Sequence, residues 1–216
     1  MRASFLLVSS PLPEPLPSDP LPLVERWLAD ASASARAAMA MTLATVDPDG
    51  RPSARMVICR GFDVRAGWLV FYTDRRSRKA LALSAHQRAA VVFYWEALER
   101  QIRIEGPITE APDEDSDAYW NTRPIDARIA AIASDQSQPI ASREALVAKV
   151  QAAKEQFGVD PRRPERWGGS RIWADTVELW VSQPARVHDR AVWRRSLTPG
   201  PHGFTGSPWQ STRLQP

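Results

Sequence analysis

Short strand-like segments separated by turn residues constrain the fold of this chain more than any other feature of its sequence. Asp47-Pro48-Asp49-Gly50 is a strong turn signal, because proline presets φ and glycine tolerates positive φ, so residues 39–60 form a predicted hairpin. Residues 68–73 are nearly all apolar, which predicts a strand buried on both faces. The predicted strands are 39–46, 53–60, 68–73, 89–95, 101–108, 171–173, 176–181 and 186–194, with a Pro/Gly/Ser-rich loop at 196–211 and a closing strand at 212–214.

Helical spacing appears between some of these strands. Predicted helices begin at Asp19-Pro20 and fade within 31–38, then recur at 77–85, 113–123 and 142–157, the last ended by Gly158. They do not alternate with strands as βαβ units, which disfavours a doubly wound parallel sheet. We therefore predict a mainly β fold, an antiparallel barrel with peripheral helices.

Length and composition bound the organisation of the chain. With 216 residues, 44% hydrophobic and 25% charged, it is long enough for one domain with a real core, assigned to residues 18–216. Residues 1–17 contain four prolines and are predicted to form a mobile or strand-like arm. No apolar run approaches a membrane span, and one cysteine allows no internal disulfide, so we expect a cytoplasmic protein without a membrane partner.

Several function classes lack their sequence signals. His86, His188 and His202 lie far apart and Cys59 is the single cysteine, so we predict no metal site. The net charge of +3, without a basic run containing interleaved aromatics, does not indicate a nucleic-acid partner. Glycine-rich phosphate-binding loops are also absent from the sequence, so a nucleotide cofactor would need another binding device.

Two clusters of cations lie within or close to predicted strands. Ser77-Arg78-Lys79 begins a helix, where free N–H groups and the helix dipole favour an anion; the alternative is a solvent-exposed helix end. Arg55 and Arg60 flank an apolar strand and would face opposite ways if it is regular. One could then contact a cofactor, a bulge could reunite them, or both could be rim charges.

Two further clusters suit an anionic, flat ligand. In Arg186-Val-His188-Asp-Arg190 three cationic or titratable side chains would share one strand face, which an anionic ligand or a solvent-facing polar stripe would explain. Tyr119 and Arg123 share a helix face and suit a phosphate, or simply pack together. Candidates to line a flat aromatic ligand, each of which could equally be structural, are Gln101, Gln136, Ser137 and Trp180.

Together, and in this order, the motifs resemble the pyridoxamine 5'-phosphate oxidase family from about residue 17 to the end. The matching stretches are Asp19-Pro20, Glu25-Arg26-Trp27-Leu28, Ala44-Thr45-Val46-Asp47, Gly50-Arg51-Pro52, Arg55-Met56-Val57, Phe71-Tyr72-Thr73, Ser77-Arg78-Lys79, Leu98-Glu99-Arg100-Gln101, Tyr119, Arg123-Pro124, Gln136-Ser137, Trp167-Gly168-Gly169, Glu178-Leu179-Trp180, Arg186-Val-His188-Asp-Arg190 and Arg213-Leu214-Gln215-Pro216.

The resemblance implies an antiparallel split β-barrel of the FMN-binding type, working as a homodimer with FMN at the subunit interface. The implied FMN contacts are Arg55, Met56, Val57, Ile58, Cys59, Arg60, Tyr72, Thr73, Arg78, Lys79, Gln101, Gln136, Ser137, Trp180 and Arg190. The implied substrate contacts are Arg60, Tyr119, Arg123, Ala127, Arg186 and His188, of which Arg186 and His188 are the catalytic candidates.

The implied reaction oxidises pyridoxamine or pyridoxine 5'-phosphate to pyridoxal 5'-phosphate, with O₂ as acceptor and H₂O₂ as product. Three departures from the family pattern concern the substrate. Arg60 stands where the family usually has lysine, Ala127 stands where it has a serine donor, and the N-terminal arm is nearly uncharged rather than basic. The missing serine hydrogen bond is worth roughly 1–2 kcal/mol.

Two alternatives remain open at this point. One is a related FMN-dependent oxidase acting in another pathway, such as the oxidase of phenazine biosynthesis. The other is a non-catalytic flavin- or haem-binding split barrel that carries or senses its ligand.

Overall fold

The structure is a computed structural model that describes residues 10–34 and 37–216. The first nine residues of the predicted arm, and residues 35–36 of the Ala/Ser stretch, lie outside the described residues. Residues 10–17 contain no helix or strand, so the strand-like form of the arm is wrong for this part. Leu12 within it is buried in the main hydrophobic core.

The helices and strands alternate irregularly along the chain. The helices are α1 (Leu21–Ser34), α2 (Arg78–Ala85), α3 (Asp113–Thr122), α4 (Ile125–Ala133) and α5 (Arg143–Phe157). The strands are β1 (Ala40–Val46), β2 (Pro52–Ile58), β3 (Gly61–Asp63), β4 (Trp68–Asp74), β5 (Arg88–Trp95), β6 (Arg100–Glu110), β7 (Trp167–Trp173), β8 (Thr176–Val181), β9 (Asp189–Arg194), β10 (Leu197–Gly200), β11 (Gly203–Gly206) and β12 (Gln210–Leu214).

Ten of the strands form one sheet in which all pairings are antiparallel. Its main path runs β12-β9-β8-β6-β5-β1-β2, and β7, β4 and β3 continue from β6 in a second direction. The predicted fold, a mainly β antiparallel barrel with peripheral helices, is confirmed.

Strand β6 belongs to both directions of the sheet. Its first half pairs with β8, and residues Ile108–Glu110 pair with β7. Gly106 lies at the change of partner, where a Cβ would stand 1.7 Å from the carbonyl oxygen of Trp173. Only glycine fits there, so this position allows the sheet to curl into a barrel.

Alternate side chains of the strands fill the interior of the barrel. Leu43, Phe93 and Ile102 are fully buried, and Trp27 of α1 packs against the same cluster. Asp19 accepts a hydrogen bond from the N–H of Leu21 (2.9 Å), which caps α1 as its sequence predicts. The hairpin of β1 and β2 has the predicted Asp47–Gly50 turn.

The predicted strand 186–194 is too long at its start. Residues Pro184–Arg186 form a short 3-10 turn in which Ala185 and Arg186 take positive φ, and β9 begins only at Asp189. Arg186, His188 and Arg190 therefore do not share one strand face. Proline at the start of this turn favours it over a strand.

Four strands and helices escaped the sequence analysis. The predicted loop 196–211 contains the β10–β11 hairpin, in which Phe204 meets Trp173 edge to face at 5.7 Å. Strand β3 and helix α4 were also not predicted.

No helix within the described ranges, 10–34 and 37–216, is long and apolar enough to cross a bilayer.

Candidate active site

A cavity of about 650 Å³ lies between strands β2 and β4 and helices α2 to α5. Its walls combine cations, aromatic rings and small apolar side chains. The lining residues are Met56, Val57, Ile58, Arg60, Tyr72, Thr73, Asp74, Lys79, Tyr119, Arg123, Ala127, Ala130, Ala131, Ser134, Gln136, Leu146, Val150 and Trp167. The structure thus brings together eleven of the side chains that the sequence analysis assigned to the site.

Lys79 projects into one end of this cavity from the first turn of α2. Its Nζ donates to Thr73 Oγ1 (2.9 Å), Ser77 Oγ (3.2 Å) and Gln136 Oε1 (2.8 Å). These partners are neutral, and no ion pair among the described residues includes Lys79. The Ser77 side chain makes no cap hydrogen bond to α2. A cation, two hydroxyls and a helix N-terminus converge there, which suits an oxyanion.

Burial, and to a lesser extent the nearby charge of Arg55, lower the pKa of Lys79 to about 8, while Asp74 opposes the shift. An ammonium group that is costly to keep charged in the empty cavity is stabilised by an arriving anion. The lowered pKa and the lack of an ion pair to Lys79 within the described part of the chain therefore both indicate an anion site.

Arg123 follows α3 and reaches the other part of the cavity. Its Nη2 donates to the carbonyl oxygen of Ala127 (2.9 Å), and its guanidinium stacks over Trp167 (4.7 Å) and Trp120 (5.2 Å). Its Nη1 is buried and has no hydrogen-bond partner among the described residues. Burial lowers the pKa of this guanidinium, but not enough to discharge it.

Aromatic rings form a stacked wall beside Arg123. Tyr72 stacks on Tyr119 with centroids 4.3 Å apart and on Trp167 at 5.3 Å. Arg60 lies 5.5 Å above the ring of Tyr119. Two cations and two phenol groups thus share this part of the cavity, which suits a phosphorylated ring.

Arg166, which lies just before β7, ties the cavity walls together. It forms an ion pair with buried Asp74 at the end of β4 and donates to the carbonyls of Ile132 (2.6 Å) and Ser134 (3.3 Å) at the end of α4. A cation at a helix C-terminus satisfies its free carbonyls. This contact fixes α4 against the strand that carries Thr73.

Nine residues assigned to the site do not line the cavity, and four of them adjoin a lining residue in the sequence. Arg55 donates to Thr45 Oγ1 (2.7 Å) and Ser53 Oγ (2.7 Å). Arg78 pairs with the carboxylate of Asp47. The other two are Cys59, which is buried with a pKa raised to about 11 by desolvation, and Ser137, which is exposed.

The remaining assigned residues form a second group on the β6–β8–β9 face. Gln101 pairs across the strands with Trp180, and Trp180 pairs with Arg190, so all three lie in one row. The guanidinium of Arg190 donates to Glu178 (2.8 Å) and to the carbonyl of Gln215 (3.0 Å).

His188 extends this row. Its ring lies 4.7 Å from that of Trp180, and its Nδ1 accepts a hydrogen bond from the N–H of Gln183 (3.2 Å). The neutral ring consequently carries its proton on Nε2, which leaves that atom free to donate. Arg186 lies nearby in the 3-10 turn and is exposed.

The cavity and the strand row, our name for Gln101, Trp180, Arg186, His188 and Arg190, do not meet within one chain. Strands β6, β5 and β1 separate β8 from β2 in the sheet order. The described residues contain no group of three or more His, Cys, Asp or Glu side chains placed to bind a metal ion.

Sequence reasoning missed the wall made by α4 and α5. Its contributors are Ala130, Ala131, Ser134, Leu146 and Val150. A signal existed, because Pro124 followed by Asp126 marks a helix start and Ile129 and Ala133 are spaced by four residues. Asp74 and Trp167 also line the cavity, although neither was assigned to the site.

The barrel and its cavity define a split-barrel protein with cationic positions that suit a phosphorylated ligand. Residues 29–157 match the family described as pyridoxamine 5'-phosphate oxidase, and residues 167–216 match the pyridoxine 5'-phosphate oxidase C-terminal dimerisation region. The chain belongs to the pyridoxamine 5'-phosphate oxidase family and is an oxidoreductase.

Two curated relatives cover nearly the whole chain. The pyridoxine/pyridoxamine 5'-phosphate oxidase of Burkholderia multivorans is 46% identical over 92% of this chain and 89% of the relative. The protein of the same name from Cupriavidus necator is 42% identical over 100% of this chain and 97% of the relative.

Two solved structures are similar in fold. PhzG from Burkholderia lata, in complex with tetrahydrophenazine-1-carboxylic acid, has a TM-score of 0.82 at 32% identity and covers 93% of this chain and 94% of its own. A pyridoxamine 5'-phosphate oxidase-related, FMN-binding protein from Nostoc punctiforme has a TM-score of 0.70 at 22% identity, with coverages of 90% and 96%.

Proposed function

We propose that this protein is an FMN-dependent oxidase that converts pyridoxamine or pyridoxine 5'-phosphate to pyridoxal 5'-phosphate, with O₂ as acceptor and H₂O₂ as product. The observation that carries the proposal is the pair of anion positions in one cavity, at Lys79 and at Arg123. A phosphorylated cofactor and a phosphorylated substrate together require two such positions. The names of the curated relatives support the same reaction.

The residues present fit FMN. Lys79, Thr73 and Ser77 would hold its phosphate at the start of α2, where a negative group meets free N–H donors. The edges of Met56, Val57 and Ile58 in β2 would border the isoalloxazine ring. Arg55 and Arg78 would act through charge from outside the cavity wall, and Cys59 and Ser137 through the position of the adjoining backbone.

The second anion position would hold the substrate. The buried, unpaired Nη1 of Arg123 is a donor that lacks an acceptor, and a phosphate oxygen would supply one. Arg60 and Tyr119 flank it and would complete the phosphate site. Ala127 would adjoin the same phosphate without donating to it.

A homodimer would complete the site. The region that matches the family's dimerisation region contains Trp180, Arg186, His188 and Arg190. On β2, Met56 is 61% exposed and Ile58 40%, so the cavity opens beside apolar surface that a second subunit would bury. The row of Gln101, Trp180 and Arg190 from the partner subunit would then face the flavin.

Catalysis in this arrangement depends on positioning. Arg186 and His188 would press the pyridine ring against the flavin, and the Nε2–H of His188 would donate to a ring substituent. When bound, FMN supplies the acceptor for the hydride of the substrate C4' carbon and passes the electrons to O₂. Proximity between the two rings is therefore the main contribution of these side chains.

A second candidate is an oxidase of the phenazine type. The Burkholderia lata structure of similar fold holds tetrahydrophenazine-1-carboxylic acid, which has a carboxylate in place of a phosphate. Here Ala127, Ala130, Ala131 and Leu146 give the cavity an apolar wall, which suits a larger carbocyclic ligand. Arg60 and Arg123 could bind a carboxylate as well as a phosphate.

Visible spectroscopy of the purified protein tests both candidates. Anaerobic addition of pyridoxine 5'-phosphate should bleach the flavin spectrum, and air should restore it with release of peroxide. Unphosphorylated pyridoxine, the matched control, should leave the spectrum unchanged. Bleaching by a dihydrophenazine carboxylate but not by either vitamer phosphate would favour the second candidate.

A cytoplasmic location, and the absence of nucleic-acid and membrane partners, stay predictions.

A further inference from the structure

Residues 10–17 lie against β9 and β12, two strands that are far away in sequence. The N–H of Leu12 donates to Asp189 Oδ2 (2.7 Å), and the indole N–H of Trp193 donates to the carbonyl of Pro17 (2.7 Å). The Leu12 side chain is 4% exposed within the main core. This segment is therefore anchored by both apolar burial and hydrogen bonds.

Arg213 of β12 joins the same contacts. Its Nη1 donates to Asp189 Oδ1 (2.5 Å), and its Nη2 donates to Glu14 Oε2 (2.7 Å) and to the carbonyl of Pro13 (3.1 Å). Both carboxylate oxygens of Asp189 are consequently occupied, one by the arm and one by β12. We call Leu12, Glu14, Asp189 and Arg213 the Asp189 clamp.

The Asp189 clamp lies directly after the segment that carries both catalytic candidates. Residues 184–187 are exposed, and Ala185 and Arg186 have φ values of 56° and 62°, which cost free energy in residues with a Cβ. The segment is held upstream by the Gln183–His188 hydrogen bond. Downstream, Asp189 is the first residue fixed in the sheet.

We propose that the Asp189 clamp positions Arg186 and His188 for the substrate ring, so that the N-terminal arm acts on catalysis through Asp189. The inference rests on the proposed function. Asp189 is a positioning residue here, since it touches the arm and β12 rather than the substrate. A strained, exposed turn keeps one conformation only if its ends are fixed, and the clamp fixes the end that adjoins His188.

The side-chain exposure of the two carboxylates in the clamp indicates how strongly each should affect the enzyme when it is replaced. The Asp189 side chain is 18% exposed and its charge is shared between two donors, whereas the Glu14 side chain is 79% exposed. Solvent screens an exposed pair strongly. Asp189→Asn should therefore affect the enzyme clearly, and Glu14→Gln only slightly.

The test compares Asp189→Asn with Asp175→Asn in the full-length holoenzyme. Asp175 is a matched control because its side chain is 16% exposed and pairs with Arg88 (2.6 Å), in the turn between β7 and β8. Asp189→Asn should raise KM and lower kcat per bound flavin, together by about 10- to 100-fold, because small displacements of positioning groups are costly. Asp175→Asn should stay close to wild type.

Amide hydrogen exchange gives a second readout that does not require turnover. Exchange across residues 183–190 should be faster in Asp189→Asn than in Asp175→Asn, with β8 unchanged. Equal exchange in this segment, or unchanged kcat and KM per bound flavin, would overturn the positioning role. If the wild type oxidises neither vitamer phosphate, the proposed function fails, and the exchange comparison alone then decides whether the clamp holds the segment.

Discussion

The cavity and the strand row differ in whether their cations are paired with carboxylates. In the cavity, Lys79 and Arg123 contact neutral oxygens and rings, and no ion pair among the described residues includes either. In the row, Arg190 is neutralised by Glu178, whose side chain is only 2% exposed. Binding of an anion stabilises an unpaired, half-buried cation, whereas a cation that is already paired can form part of a packing surface. One chain thus carries an anion site and, elsewhere, the surface that would cover it.

Arg123→Gln should cause the largest loss, because it removes the charge that faces the proposed substrate phosphate. Charge-assisted hydrogen bonds are worth about 1.5–3 kcal/mol, so kcat/KM should fall by about 10- to 150-fold. Steady-state kinetics with pyridoxine 5'-phosphate measures the effect. Arg123→Lys keeps the charge without the planar fork and should recover part of the loss; equal activity in both variants and wild type would remove Arg123 from the site.

Arg186→Ala tests the strand-row side of the comparison. Turnover should fall by about 10- to 100-fold through lost ring positioning, while the protein should stay yellow because the proposed phosphate contacts of the flavin are elsewhere. Arg194→Ala is the matched control, since Arg194 is exposed at the far end of β9. Equal turnover in the two variants would contradict the role of Arg186.

Lys79 should give FMN binding a distinctive pH dependence. Its pKa of about 8 in the empty cavity means that the free protein loses this charge as pH rises, whereas bound phosphate keeps it protonated. The Kd for FMN should therefore change little near pH 7, begin to rise around pH 8 and be up to about tenfold higher by pH 9. Titration of flavin-free protein measures this, and Lys79→Gln should bind more weakly with no such rise. A wild-type curve that stays flat would exclude Lys79 from the phosphate site.

Ala127→Ser should produce the smallest change. A serine hydroxyl beside Arg123 could donate to the substrate phosphate, so KM should fall by about two- to fivefold, as one neutral hydrogen bond allows. Ala130→Ser on the same helix is the control, since that position also lines the cavity but has no assigned phosphate contact. An unchanged KM in Ala127→Ser would place the substrate phosphate away from α4.

Local signals in the sequence located much of the cavity. Tyr119 and Arg123 are four residues apart, and Lys79 lies in the first turn of a helix, so sequence spacing alone brings each to a defined position. The sequence could not show which cation of Ser77-Arg78-Lys79 enters the cavity. That choice depends on Asp47, which is 31 residues earlier and whose carboxylate binds the guanidinium of Arg78.

The errors arise where the structure depends on backbone strain or on long-range contacts that no local pattern signals. Residues 186–188 alternate like a strand, but Ala185 and Arg186 take positive φ without glycine, which no local pattern signals. Helix α4 depends on Arg166, whose guanidinium caps it from beyond α5. The hairpin β10–β11 packs on Trp173, more than twenty residues earlier, so its Pro/Gly/Ser-rich sequence predicted only a loop.

The central claim is that the cavity of one subunit functions with the strand row of another. Co-expression of Arg123→Gln and Arg186→Ala subunits carrying different tags, followed by purification over both tags, yields the mixed dimer. Each parent homodimer has two defective sites, but the mixed dimer has one defective and one intact site. The account predicts about half of wild-type turnover for the mixed dimer. Turnover no higher than that of the parent variants would show that both groups act within the same subunit, and would contradict it.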